Sequence, residues 1–136
     1  MPFVFSLACV LVMACLPIVC AGIAKSGKFH QPPEEGGYDN KLPRVWLSQL
    51  DGWRARAHAA QQNTFEALPF FFVALVLSHL ASVPLFWINL LAGVFTALRV
   101  LYVGLYIQNL ANARSLVWVL AFLVNAALLT AALWAT

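Results

Sequence analysis

Long apolar blocks without charged side chains dominate the chain, and their lengths predict membrane spans. Residues 3–24 form the first block, and residues 67–98 form a second block of 32 residues. A helix rises 1.5 Å per residue, so about 20 residues cross a hydrocarbon core of about 30 Å. The second block is long enough for two crossings. Pro84 divides it, because proline lacks a backbone donor and restrains the residue before it.

The pattern therefore predicts four spans. We assign them to residues 3–24, 63–82, 84–108 and 115–134. Backbone groups in lipid must bond one another, so each span is expected to be a helix. The fold class is all-α, an integral membrane four-helix bundle formed by one domain over residues 1–136. The segment 25–44 reads as a loop because it contains Pro and Gly pairs, and a helix is expected to begin near Pro43 and continue into the second span.

Composition agrees with this interpretation and excludes other classes. Apolar residues make up 62% of the chain and charged residues 10%, against about 25% charged in soluble domains. A soluble enzyme and a disordered chain are therefore excluded. Eight basic residues give a net charge of only +3, which does not indicate a nucleic-acid partner.

The basic residues predict the orientation in the membrane. Between the first two spans lie Lys25, Lys28, Lys41, Arg44, Arg54 and Arg56, and Arg114 lies between the last two. The positive-inside rule then places both connections in the cytoplasm and both termini outside. The first span has no basic segment before it and no Ala-x-Ala site after it, so we expect it to be retained rather than cleaved as a signal peptide.

Cysteine and histidine do not indicate chemistry. Cys9, Cys15 and Cys20 all fall in the first span and are expected to be small buried apolar residues. His30 and His79 have no second ligand at metal-binding spacing, so no metal site is expected.

Two charges inside the spans are the most informative residues. Arg99 lies 15 residues beyond Pro84, about 22 Å into the membrane, which leaves it about 8 Å from the cytoplasmic edge. Glu66 lies about 9 Å from the same edge. Charges within a membrane pair with one another or line a cavity. We therefore expect Glu66 and Arg99 to face each other or a shared polar pocket, within one subunit or between subunits.

Helical spacing adds further polar residues at this depth. One stripe consists of Arg56, Asn63 and Glu66, and the other of Arg99, Tyr102 and Tyr106, with Arg114 just beyond. Together they suit an anionic amphiphile that enters from the cytoplasm or the inner leaflet, and the cations could also hold a thiolate. Alternatively, the buried groups join helices and the tyrosines belong to the interfacial belt.

The motifs resemble those of the MAPEG family, the membrane-associated proteins of eicosanoid and glutathione metabolism. Asn63-x-x-Glu66-x-x-Pro69 is similar to the motif on the family's second helix, and Arg99-x-x-Tyr102-x-x-x-Tyr106 to its third. The segment from Gly37 to Arg44 resembles the family's bacterial branch, which implies a bacterial inner membrane.

The resemblance implies a homotrimer with sites between subunits, open towards the cytoplasm, that use glutathione as co-substrate. By match to the family, Arg114 and Tyr106 would be catalytic. Arg56, Asn63, Glu66, Arg99 and Tyr102 would bind glutathione. Ala59 stands where glutathione-using relatives carry an arginine, and Arg56 lies on the same face about 4.5 Å farther along the helix.

Three functions remain open from the sequence. The first is a glutathione-dependent transferase or peroxidase that acts on lipophilic electrophiles. The second is a non-enzymatic protein that binds lipids or amphiphiles on the same scaffold. A small transporter is less favoured, because the first span has no acidic residue and no inverted repeat is visible.

Overall fold

Five helices build the described part of the chain, residues 3–135 of the computed structural model. They are α1 (Val4–Lys25), α2 (Pro43–Ser48), α3 (Gly52–Leu80), α4 (Leu85–Ile107) and α5 (Ala111–Ala135), with a short 3-10 turn at Pro33–Glu35. All but α2 are long and apolar enough to cross a membrane. The predicted all-α four-helix architecture is therefore confirmed.

The helix expected to run without a break from Pro43 into the second span is interrupted. Pro43 does begin a helix, but α2 ends at Ser48 and α3 begins separately at Gly52. Asp51 is extended and Gly52 has a φ of 54°, a left-handed value that cannot continue a right-handed helix. The prediction of one continuous helix was wrong for this reason. Downstream, α3 passes through Pro69 without ending.

The helices α3 and α4 each pack against all the other long helices. The helix α3 packs against α1, α4 and α5, and α4 also packs against α1 and α5. Phe71 of α3 and Phe95 of α4 are buried and stacked, with ring centroids 4.6 Å apart. Large apolar side chains remain exposed around the outside, including Leu80 and Trp134, as expected for a surface that faces lipid or another subunit.

The cysteines of α1 divide between its two faces. Cys9 and Cys20 are buried with Met13 and Leu16, following helical spacing. Cys15 is exposed, because it lies on the opposite face of the same helix. The expectation of a buried apolar role is therefore wrong for Cys15.

Two arginines near the start of α3 donate hydrogen bonds to the C-terminal ends of α1 and α4. Arg54 Nη1 donates to the carbonyl oxygens of Ser26 (2.6 Å) and Ala24 (3.3 Å) at the end of α1. Arg56 Nε donates to the carbonyl oxygen of Ile107, the last residue of α4, at 2.9 Å. Helix C-termini expose unpaired carbonyls and partial negative charge, so cations stabilise them.

The turns after α3 and α4 share one backbone conformation, with a residue at positive φ just after the helix. Ser82 and Asn109 have φ values of 59° and 63°. After α4, the amide of Asn109 donates to the Tyr106 carbonyl and that of Leu110 to the Leu105 carbonyl, which is the Schellman pattern. The equivalent pair after α3 runs from Ser82 to His79 and from Val83 to Ser78. The α4–α5 connection is thus short and held by backbone hydrogen bonds.

Substitution of Asn109 should separate backbone preference from side-chain chemistry. We expect Asn109→Val to lower the free energy of unfolding by about 1–2 kcal/mol, because a β-branched residue is disfavoured at a positive φ. Asn109→Gly is the matched control and should leave stability equal or slightly higher. Denaturant unfolding of the protein in detergent measures both. Equal stability of the two variants would contradict the argument.

Candidate functional site

Two adjoining cavities lie between α3, α4 and α5. The inner cavity has a volume of about 190 Å³ and is lined by Asn63, Glu66, Ala67, Phe70, Phe95, Arg99, Trp118, Ala121, Phe122 and Asn125. The outer cleft has a volume of about 280 Å³ and is lined by Asn63, Tyr102, Tyr106, Arg114, Ser115, Trp118 and Val119. Asn63 and Trp118 border both. The predicted site residues other than Arg56 therefore line one pair of neighbouring cavities.

Arg99 is the charged centre of this region. Its side chain is 1% exposed, and Nη2 donates to Asn63 Oδ1 at 3.0 Å and to Thr64 Oγ1 at 3.3 Å. Its guanidinium also lies over the ring of Tyr102, with 4.3 Å between the central carbon and the ring centroid. The Nε atom is buried without a hydrogen-bond partner among the described residues.

Hydrogen bonds to the Asn63 amide connect Glu66 to Arg99. Asn63 Nδ2 donates to Glu66 Oε2 at 3.4 Å, while Asn63 Oδ1 accepts from Arg99. Both charged side chains line the inner cavity, so the expected shared pocket is confirmed. The two charges are connected through the Asn63 amide. The Glu66 side chain is exposed on the single chain, although it lies on a membrane-spanning helix.

Two aromatic rings lie between two cations along the route to the outer cleft. The rings of Tyr102 and Tyr106 meet edge to face, with centroids 5.6 Å apart. The Arg114 guanidinium lies 4.2 Å from the centroid of the Tyr106 ring. The sequence Arg99, Tyr102, Tyr106, Arg114 is therefore a continuous stack in which each cation faces an electron-rich ring. This stack holds both cations in place without a direct carboxylate partner.

Arg56 lies apart from these side chains. It borders neither cavity, and its Nε is engaged by the Ile107 carbonyl. Its predicted role in binding glutathione stays a prediction. Ala59, one turn closer to Asn63, is partly buried.

The lining and contacting residues that were absent from the predicted set include Thr64, Trp118 and Asn125. Thr64 is fully buried; its hydroxyl donates to the Ala60 carbonyl at 2.8 Å and accepts from Arg99. Trp118 borders both cavities, and Asn125 lines the inner cavity. Asn125 carried a usable signal, since it is an amide in the middle of an otherwise apolar span. Thr64 carried none, because threonine is common in membrane helices and its contact depends on the α3–α4 packing.

Fold and site together define a multi-pass integral membrane protein with a polar, cation-rich cleft between three helices. The sequence model of the MAPEG family matches residues 5–134, nearly the whole chain. The protein belongs to the MAPEG family. No curated protein and no solved structure gives a significant match to the chain.

The Thr64 hydroxyl should be measurably important for stability. Thr64→Val removes an acceptor from a buried guanidinium, so we expect a loss of about 1–3 kcal/mol in the free energy of unfolding. Thr130→Val is the matched control, because the Thr130 hydroxyl is exposed and bonds only the Ala127 carbonyl of its own helix. Unfolding in detergent measures both variants. An equal loss in the two would show that the Arg99 contact adds nothing.

Proposed function

We propose that this MAPEG protein is a glutathione-dependent transferase or peroxidase that acts on lipophilic electrophiles. The observation that carries the proposal is that the buried Arg99 guanidinium lines the same cavity as the Glu66 carboxylate and the Asn63 amide. Glutathione presents two carboxylates, an ammonium group and peptide groups. Charge-assisted hydrogen bonds to these groups need the cations, carboxylate and amide found here.

The predicted residues that line the two cavities each have a role in this proposal. Glu66 binds the ammonium group and Arg99 a carboxylate, with Asn63 and Tyr102 contacting the remaining polar groups. Arg56 borders neither cavity and has no role in it. Arg114 stabilises the thiolate by its charge, and Tyr106 donates a hydrogen bond to the sulfur or the product. The stacking of Arg114 on Tyr106 supports placing these two roles together.

The chemistry follows from a stabilised thiolate. In the transferase reaction the sulfur forms a bond to the electrophilic carbon, the leaving group departs with its electron pair, and the thiol proton passes to water at the outer cleft. In the peroxidase reaction two glutathione molecules are oxidised to the disulfide, while a hydroperoxide is reduced to an alcohol and water. The apolar side chains at the outer cleft, Trp118 and Val119, suit a lipophilic co-substrate beside the thiolate.

The proposal includes the orientation of the protein in the membrane. The ends of α1 and α4 and the start of α3 are joined by Arg54 and Arg56. The other basic residues of the connections lie in sequence at this end of the bundle, which supports the positive-inside assignment. The outer cleft then opens to the cytoplasm of a bacterial inner membrane, with both termini outside.

A homotrimer completes the proposed site. Glu66 is exposed on the single chain at membrane depth, where an uncovered carboxylate is costly, so a neighbouring subunit is proposed to cover it. Light scattering of the protein in detergent, corrected for bound detergent, should give the mass of three chains. A mass of one chain under conditions that preserve ligand binding would contradict the trimer.

A second candidate is a non-enzymatic amphiphile binder. It is favoured by the aromatic side chains that line the inner cavity, Phe70, Phe95, Trp118 and Phe122, and by Ala59 at the position of the family arginine. Such a protein would bind lipophilic molecules without forming a thiolate.

A thiolate measurement separates the two candidates. Glutathione added to the purified protein should produce the ultraviolet difference absorption of a bound thiolate, because Arg114 favours the charged sulfur. The signal should be lost in Arg114→Ala. It should persist in Arg44→Ala, the matched control, because Arg44 is an exposed cation that borders neither cavity.

Calorimetry completes this experiment. If wild-type protein shows neither the thiolate signal nor heat of binding at millimolar glutathione, the enzyme proposal fails and the amphiphile binder replaces it. Equal signals in the two arginine variants would remove the role assigned to Arg114.

A further inference from the structure

A third cleft separates the short helix α2 from the first turns of α3. Its volume is about 490 Å³, larger than that of either cavity of the candidate functional site, and it shares no lining residue with them. On α2 it is lined by Arg44, Leu47 and Ser48, and on α3 by His58, Gln61, Gln62 and Phe65. Residues three and four positions apart share one face of a helix, so each helix presents a single face to this cleft.

The polar side chains of the cleft suit an anion. Arg44 is exposed, and its guanidinium makes no hydrogen bond, ion pair or ring contact with the described residues. The Nδ1 atom of His58 lies 3.3 Å from Gln61 Oε1, which orients the imidazole ring. No carboxylate is among the described residues that line the cleft. Guanidinium, imidazole and amide N–H groups are donors that bind phosphate oxygens, and the charge of the guanidinium strengthens such bonds.

The cleft crosses the boundary of the hydrocarbon core. His58 precedes Glu66 by eight residues, about 12 Å along the helix, so it lies about 3 Å outside the core if Glu66 lies about 9 Å inside it. Phe65 is 53% exposed and lies inside the core, about 8 Å from its edge. The polar end of the cleft is therefore at the level of lipid headgroups, and its apolar end at the level of acyl chains.

This combination favours a lipid over a soluble anion. A free phosphate ester would contact only the polar end and leave the Phe65 ring uncovered. A phospholipid supplies a phosphate and an acyl chain at the two depths where the cleft has matching side chains. Basic pockets between helices at the membrane surface favour anionic headgroups in particular, because a zwitterionic headgroup brings its own cation beside the phosphate.

We propose that the cleft between α2 and α3 binds one anionic phospholipid, such as a phosphatidylglycerol. The phosphate lies between Arg44 and His58, and the Gln62 amide donates to a remaining phosphate oxygen. An acyl chain lies along Leu47 and Phe65. The site uses no residue assigned to glutathione, so the inference does not depend on the proposed function.

Phosphorus NMR provides the test, with three soluble probes that separate headgroup charge from acyl contact. Dihexanoylphosphatidylglycerol and dihexanoylphosphatidylcholine have the same chains and phosphate but differ in net charge, and glycerol 1-phosphate has no chains. Each is titrated against the protein in maltoside micelles without glutathione, and empty micelles correct for partition. We expect the anionic lipid to bind about 5-fold more tightly than the zwitterionic one. Millimolar glycerol 1-phosphate should not displace it.

Two charge-removing variants locate the binding. The preference for the anionic lipid should disappear in Arg44→Gln. It should persist in Lys41→Gln, the matched control, because Lys41 is an exposed cation three residues away that does not line the cleft. Phe65→Ala should weaken both lipids to a similar extent, since it removes a contact to the chain rather than to the headgroup.

Four results would overturn the proposal. They are equal binding of the two lipids by wild-type protein, an equal loss of preference in the two charge variants, displacement by glycerol 1-phosphate, and an absence of lipid binding. The second result indicates diffuse attraction to a basic surface, the third a site for soluble phosphate esters, and the fourth a cleft filled by a neighbouring subunit. None of them affects the enzyme proposal, because its thiolate signal depends on Arg114 and not on Arg44.

Discussion

The burial of the Arg99 guanidinium is the constraint on which the rest of the site depends. A charge inside a membrane helix is stable only where hydrogen bonds and polarisable groups replace water. Asn63 and Thr64 of α3 provide acceptors, and Tyr102 of α4 provides a ring face. These contacts fix α3 and α4 relative to each other at one level. Glu66 and Tyr106 take their positions from the same arrangement.

The stack from Arg99 to Arg114 shows how the chain organises charge without close ion pairs. Each guanidinium lies against a tyrosine ring, and each tyrosine meets the other edge to face. A tyrosine ring attracts the cation but carries no net charge, so the positive charge is not neutralised as it would be by a carboxylate. Both guanidinium groups therefore remain able to bind an anion, which a direct ion pair would oppose. This property, more than the number of polar residues, makes the cleft suitable for a thiolate or carboxylate ligand.

The sequence predicted the parts that follow from periodicity and length. The apolar blocks, divided at Pro84, predicted the four long helices, and counting residues from Pro84 put Arg99 at the level of Glu66. It did not predict the break before Gly52, although glycine readily adopts the left-handed conformation found there. It also did not predict that Arg56 would cap α4, since that contact joins residues 51 positions apart. The cleft between α2 and α3 shows the same limit, because it exists only where the two separate helices pack together.

The Schellman turn at Asn109 has a consequence for how molecules reach the cleft. Only residues 108–110 separate α4 from α5, and backbone hydrogen bonds hold them. Tyr106 and Arg114 flank this connection, so it has no spare length from which to form a mobile lid between them. Beyond rotamer changes of the lining side chains, the opening changes width only if whole helices tilt. Admission of a molecule is therefore governed by the rigidity of the bundle and by whatever adjoins it sideways, which couples the rate of entry to the thickness and fluidity of the surrounding bilayer.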